Sequence, residues 1–331
     1  MTTQTATATT MRAIVQHSYG HDAVRLERIV KPTAGEGEVL IRVRAASANR
    51  ADEFFITGRP YIARLAFGLR APKNIVRGRD VAGIVEAVGA GVSQFSPGDE
   101  VYGEVDTGSF AEYVATPQNL VARKPSNLSF EQAAAVPLAA RAALHGLRDG
   151  GGVRPGQTAL INGASGGVGS FAVQIAKALG AEVTGVCSGA NADLVRSLGA
   201  DHVVDYTIED FTRSGRRYDV ILDNVGNHSV RACRRALTPR GTLVLSSGTG
   251  GRILGPLPRM VWGLLQSLFV SQTVRAFVTA PVQPSLEVLR DLIEAGQVIP
   301  AITDTYSLAE APAVLRDFAD GHARAKIVFT I

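Results

Sequence analysis

Four glycines between residues 163 and 169 carry the clearest chemical signal in this chain. They fall in Ala159-Leu-Ile-Asn-Gly-Ala-Ser-Gly-Gly-Val-Gly169, an apolar strand that runs into a turn. Ser170-Phe-Ala-Val-Gln-Ile-Ala-Lys-Ala-Leu-Gly180 follows with the pattern of a helix. Glycine removes side chains where a backbone turns tightly and where a phosphate must come close. The amides at the helix start then face the anion, and the helix dipole adds to the attraction. A lone glycine triplet would be weak evidence. Here a strand precedes it, a helix follows, and a second strand from Glu182 to Val186 comes next, the context a dinucleotide fingerprint requires. Ser165, Gly166, Gly167 and Val168 are therefore the candidate phosphate-binding residues.

The end of that second strand bears on which dinucleotide is bound. An acid about 20 residues past the glycines would hold a ribose 2′-hydroxyl. The stretch Val186-Cys-Ser-Gly-Ala-Asn-Ala192 has no acid before Asp193, and Ser188 can donate to a 2′-phosphate. The expected cofactor is NADPH.

The elements that must position these residues fall into three segments. From Met11 to about Phe130, short strands alternate with turns. Val39-Leu-Ile-Arg-Val-Arg-Ala45 alternates apolar and polar residues as a half-buried strand does, and Gly83–Gly89 and Val101–Val105 are two more. Turn signals at 34–37, 89–91 and 96–99 separate them, so this part reads as a compact β-rich domain. From about Ala133 to Ala280 strands alternate with helices, at 158–162, 182–187, 202–206, 218–223, 242–247 and 274–278. One helix, 192–198, ends at a Gly199 stop. Such alternation implies α/β architecture with a doubly wound parallel sheet. The last fifty or so residues hold helices at 285–295 and 308–319 and a closing strand at 326–331, which are expected to return to the first domain.

Bulk properties set bounds. A length of 331 residues suggests about two domains. A net charge of +4 is small for this length and gives no reason to infer a nucleic-acid partner. Cys187 and Cys233 show no metal spacing, which suits a reducing compartment. Residues 1–10 are polar, without an apolar core or basic residues, and read as a disordered tail. No run reaches the roughly 18 apolar residues of a membrane span, so a cytoplasmic protein is expected.

Several stretches in order, Gly35-Glu-Gly-Glu-Val-Leu-Ile-Arg-Val43, Ser47-Ala-Asn-Arg-Ala-Asp52, Gly78-Arg-Asp-Val-Ala-Gly-Ile-Val85, Pro97–Gly103, Gly108–Tyr113, the glycine turn and Leu198–Tyr206, carry a resemblance. The chain resembles the zinc-independent medium-chain dehydrogenase/reductases of the quinone oxidoreductase group over essentially all of residues 11–331. The resemblance implies a GroES-like substrate domain, residues 11–132 and 281–331, wrapped on a Rossmann NADP(H)-binding domain, residues 133–280. The active site would lie in the cleft between them. A homodimer is also expected.

Zinc-dependent relatives place a Cys where this chain has Asn49, and a His-Glu pair where it has Arg79-Asp80. The six histidines show no metal spacing either. Without a metal, oxidising an alcohol would need a base of tuned pKa. Adding hydride to a quinone or an α,β-unsaturated carbonyl needs less, because positioning and one hydrogen bond to the carbonyl lower much of the barrier. By resemblance, Asn49 sits near the nicotinamide and the substrate carbonyl, and Asp52 shares its motif. Asp52 is equally an Asp that bonds local backbone beside a turn. Tyr61 is a candidate proton donor, displaced from the position usual in the family.

Cofactor-lining positions carried over are Asn191, Tyr206, Asn224, Val225, Ser246, Ser247, Phe277, Val278 and Lys326. Asn191 stands where relatives often have a Lys, and Ala142 where they often have a Thr. The expected activity is NADPH-dependent reduction of a small hydrophobic quinone or enone. A carbonyl or alcohol dehydrogenase and a non-catalytic NADPH-binding redox sensor are the alternatives. The stretch Ile253–Val270, with the chain's one tryptophan, Trp262, reads either as a wall of an apolar substrate pocket that also reaches a dimer partner or as a core helix.

Overall fold

The alternation at 39–45 belongs to a longer strand around which a β-rich unit assembles. The computed structural model describes residues 9–106, 108–246, 251–267, 270–276, 282–320 and 324–331. Ser247, Phe277, Val278 and residues 1–8 of the expected tail lie outside them. β1 (Thr10–Gln16) and β2 (Val24–Val30) form an antiparallel pair. β3 (Glu38–Ala48) leads through helices α1 (Arg50–Thr57) and α2 (Arg64–Phe67) to β4 (Asp80–Val88), which returns antiparallel along β3. β5 (Glu100–Glu104) pairs with β4, β6 (Tyr113–Pro117) with β3, and β7 (Val121–Arg123) with β5.

Two helices carry the chain onward. α3 (Phe130–Ala134) opens on a capping box of Ser129 and Gln132. α4 (Pro137–Leu144) has its proline at the first helical position, where a missing N–H costs nothing. Strand and helix then alternate as β8 (Thr158–Asn162), α5 (Gly167–Ala178), β9 (Glu182–Cys187), α6 (Ala192–Ser197) and β10 (His202–Asp205). The alternation continues as β11 (Tyr218–Asp223), α7 (Val230–Arg235), β12 (Leu237–Leu245), α8 (Leu257–Ser267) and β13 (Thr273–Ala276). The six strands are parallel, in the order β10-β9-β8-β11-β12-β13. Their direction of winding reverses between β8 and β11, where open α/β sheets bind ligands at the carboxyl ends.

The chain then returns. α9 (Val282–Glu294) buries Leu286, Leu289 and Ile293 at helical spacing. β14 (Ile302–Ser307), α10 (Ala311–Asp320) and β15 (Lys326–Thr330) follow, and the expected helix at 308–319 begins as a tighter turn over Leu308–Glu310. β15 pairs antiparallel with β3 and parallel with β14, completing a seven-stranded sheet. One apolar cluster joins the two sheets, with Ala45 and Tyr102 from the first unit packed among Leu144, Phe171 and Leu286. The buried Tyr102 hydroxyl donates to the Leu286 carbonyl at 2.6 Å, which ties α9 to β5.

Candidate active site

Three strand ends meet at Asn49. Antiparallel pairing puts the end of β3 beside the start of β4 and the start of β15, with Ser47 opposite Asp80 and Ala48 opposite Ile327. Asn49 caps α1, and Asp52, three residues on, accepts its amide at 2.7 Å to close a capping box. Asp80 is fully buried. Its Oδ2 accepts from the Ser47 hydroxyl and the Asn49 amide, each at 2.9 Å, and its Oδ1 accepts the Leu138 N–H at the start of α4. Lys326 reaches in from β15 and donates to Asn49 Oδ1 at 2.5 Å, the Ala48 carbonyl at 3.1 Å and Asp80 Oδ2 at 3.3 Å. All three ammonium protons thereby have an acceptor.

The Asn49 side chain is engaged at both of its polar atoms. Its amide nitrogen is turned to Asp80, with a longer contact to the Ser47 carbonyl, and its oxygen to Lys326. The lysine and the carboxylate together fix that orientation. The amide hydrogens thus have protein acceptors.

Asp52 is different. Burial drives its carboxyl pKa from 3.8 up to about 7, against the pull of the Asn49 amide, with Asp80 adding to the rise. It lines a recess with Phe55, Phe67, Arg77, Gly78 and Arg79. The Phe55 and Phe67 rings lie 4.5 Å apart, and the Arg79 guanidinium lies over Phe55 at 5.5 Å. Arg79 pairs with Glu104 at 2.9 Å, and Glu104 also pairs with Arg141. The buried Nε atoms of Arg77 and Arg79 have no partner. Sequence reasoning missed these groups: Arg79 entered it only as a non-ligand.

On the other side of the cleft, the glycine turn has the form a phosphate cradle requires. A Cβ on Gly169 would lie 2.0 Å from the Gly163 carbonyl, so the turn closes only on glycine. Gly166 caps α5 with no side-chain bond, leaving the first amides of the helix to a ligand. At the ends of β8 and β11, Asp223 accepts from Asn162 at 2.8 Å and from the amides of Val225 and Gly226. Arg259 of α8 donates to Asp223 at 2.5 Å. Asn224 is next to it, and both polar atoms of its buried amide lack a partner. The Ser246 N–H donates to the Asp223 carbonyl. These features fit a dinucleotide: a cradle for the pyrophosphate, and a free donor and acceptor for its nicotinamide end.

The turn after β9 holds a group the sequence reading overlooked. Ser188 and Asn191 lie together, the asparagine amide donating to the serine hydroxyl at 3.2 Å. Asp205, at the end of β10, brings its carboxylate to Gly189: its Oδ2 would lie 2.5 Å from a Cβ there. The hydroxyl and amide of Thr207 and the Gly189 amide hold its pKa down. An acid is thus present beside the turn that holds Ser188, supplied by the next strand. Tyr206, beside it, is half-exposed.

Lys326 also links the two sides. Its Cδ would sit 3.3 Å from a Cβ on Gly167, and Ala325 N–H donates to the Ser165 carbonyl at 2.7 Å. Lys326 therefore touches the glycine turn with its stem and Asn49 with its head. Tyr61 stands apart from this group. Its ring is exposed and lies against Arg64 and Arg59 at 4.8 and 6.0 Å, while its N–H donates to the Arg252 carbonyl. The described part of 253–270 is not a core helix: in α8 Met260 and Gly263 turn inward and Arg259 reaches Asp223, but Leu257, Val261, Trp262 and Leu265 are exposed.

A zinc ion wants about four N, S or O ligands in a tetrahedron. Here Asn49 and Asp80 both face a lysine ammonium, and Arg79 is a cation. That donor set does not suit zinc. Among the described residues no three His, Cys, Asp or Glu converge on a metal position.

Comparison with known proteins agrees with this architecture. The Alcohol dehydrogenase GroES-like domain family matches residues 35–126, and the Zinc-binding dehydrogenase family matches residues 198–329. The chain is 34% identical to NAD(P)H oxidoreductase RTN4IP1, mitochondrial, of Mus musculus, over 100% of this chain and 92% of that one. It is 39% identical to the NADPH-dependent alkenal/one oxidoreductase, chloroplastic, of Arabidopsis thaliana, over 65% of this chain and 58% of that one. The structure of the quinone oxidoreductase from Coxiella burnetii superposes with a TM-score of 0.86 at 27% identity, over 98% of this chain and 100% of that one. The chain belongs to the medium-chain dehydrogenase/reductase family, in its quinone oxidoreductase group.

Proposed function

We propose that this protein is an NADPH-dependent reductase of quinones and α,β-unsaturated carbonyls that works without a metal. The observation that carries the reading is the convergence of the glycine turn, Lys326 and the Asn49–Asp80 group at one point of the cleft. The relatives named as quinone and alkenal/one oxidoreductases support the acceptor class. Absence of an acid at the end of β9, with Ser188 in its place, supports the phosphorylated cofactor, and Asp205 opposes it in part.

When bound, the reduced nicotinamide supplies a hydride. The chain must then hold the acceptor, exclude water and deliver a proton. Phe55 and Phe67 offer an apolar seat for a conjugated ring or chain. The Arg79 guanidinium meets the negative charge that builds on the carbonyl oxygen. Asp52, with a pKa of about 7, holds its proton in the neutral range and can give it to that oxygen. Asn49 and Lys326 position rather than react: they lock the end of β3, and with it the first turn of α1 that carries Asp52.

The test is NADPH oxidation with quinones, enones and aldehydes, alongside alcohol oxidation by NADP, each across pH. Quinones and enones should turn over. The rate should fall as pH rises through about 7, because Asp52 loses its proton there. Asp52→Asn keeps an oxygen for the cap but has no acidic proton, so it should slow turnover and flatten that profile. Turnover of alcohols alone would overturn the reading.

A further inference from the structure

A surface helix ordinarily turns its apolar stripe toward the core. α8 does the opposite. Met260 packs on the core beneath, and a Cβ on Gly263 would lie 3.1 Å from Val274. Leu257, Val261 and Leu265, one turn apart, are exposed with Trp262, whose exposure is 60%. The segment around α2 adjoins them. The amide of Ile62 donates to the Ile253 carbonyl at 3.1 Å, and Leu65 and Leu69 nearby are 70% and 67% exposed.

Charge on these two segments is one-sided. Residues 54–79 hold six Lys and Arg and no Asp or Glu, and residues 224–286 hold seven Arg and no Asp or Glu. The net charge of +4 hides that segregation. Arg59, Arg70, Lys73 and Arg252 are exposed on the same segments as the apolar residues.

An outward apolar helix with a tryptophan, flanked by cations and free of acids, has the chemistry of an anionic bilayer surface. Apolar side chains enter the headgroup boundary, tryptophan prefers that boundary, and Lys and Arg meet lipid phosphates. A second copy of the chain fits less well, because an isologous contact would set this basic surface against itself. We propose that this face docks the protein on an anionic lipid surface, lying on it without crossing it. No described helix is long and apolar enough to span a membrane. Resting on the reductase reading above, such docking would bring the surface that carries Tyr61 and Trp262 against a bilayer that holds a lipid-dissolved quinone.

The test uses the full chain with vesicles of phosphatidylcholine, alone or with phosphatidylglycerol. Trp262 is the only tryptophan, so its emission reports on this face. The expected result is flotation and a blue shift with the anionic vesicles alone, both lost as salt rises. Arg70→Gln and Arg252→Gln should each weaken vesicle affinity by about fivefold and leave turnover of a water-soluble quinone unchanged. Leu65→Ser with Leu265→Ser should abolish flotation. Unshifted emission and no flotation with anionic vesicles would overturn the proposal. So would a dimer, seen by sedimentation velocity, that the double leucine variant splits. Soluble-quinone turnover is measured without vesicles, so loss of the reductase reading and loss of lipid docking give separate results.

Discussion

The two walls of the cleft treat their buried polar groups in opposite ways. Within the network of Ser47, Asn49, Asp80 and Lys326 each side chain has a partner, although the Nε atoms of Arg77 and Arg79 beyond it do not: Asp80 accepts from four donors and Lys326 donates to three acceptors. Around Asn224, on the nucleotide side, a buried amide has no partner, and two nitrogens of Arg259 have none either. Buried polar groups left unpaired cost stability, so they persist where a ligand completes them. One wall is a finished scaffold that holds α1 and Asp52 in place. The other, on the function proposed above, is a receptor completed by the cofactor it binds.

The largest effect should come from breaking the finished wall. Lys326→Ala would leave Asp80 buried without its counter-ion, and a loss of about 3–5 kcal/mol in stability is expected by urea unfolding. A loss below about 1 kcal/mol would mean that the ammonium is not the group holding Asp80.

The receptor wall should respond in the reverse way. Asn224→Ala removes two unpaired atoms, so stability should hold, while NADPH affinity should fall by up to about tenfold, the worth of one hydrogen bond or so. Calorimetric titration and a melting curve on the same sample separate the two. A protein that loses stability and keeps its affinity would invert the comparison.

Asp205→Asn should give the smallest effect. It removes a half-buried negative charge beside Gly189, and the preference for NADPH over NADH should rise by roughly fivefold or less. An unchanged ratio would place the ribose away from Gly189.

Parts of this arrangement were legible from the chain alone because they are local. The glycine turn is one strand, one turn and one helix, and its consequences follow from residues next to each other. The strands of the six-stranded sheet were likewise visible in their apolar runs, at 158–162 and 218–223 to the residue. What was not legible depends on pairing between distant segments. Lys326 meets Asn49 across 277 positions because β15 pairs with β3, and nothing in either stretch announces that meeting. Lys326 was placed among the cofactor-lining residues on resemblance, but its network with Asp80 was not foreseen. Asp205 was missed because the acid was sought on β9, and it comes from β10. The recess beside Asp52 was missed because Phe55 and Phe67 look like ordinary packing residues until the fold brings their rings within 4.5 Å.

The metal question bears most directly on the scaffold wall, where a lysine-centred network holds positions at which relatives bind zinc. Protein dialysed against a chelator should oxidise NADPH with a quinone at its original rate, and added zinc should change nothing. Turnover lost on chelation and restored by zinc would contradict a metal-free site built on Asn49, Asp80 and Lys326.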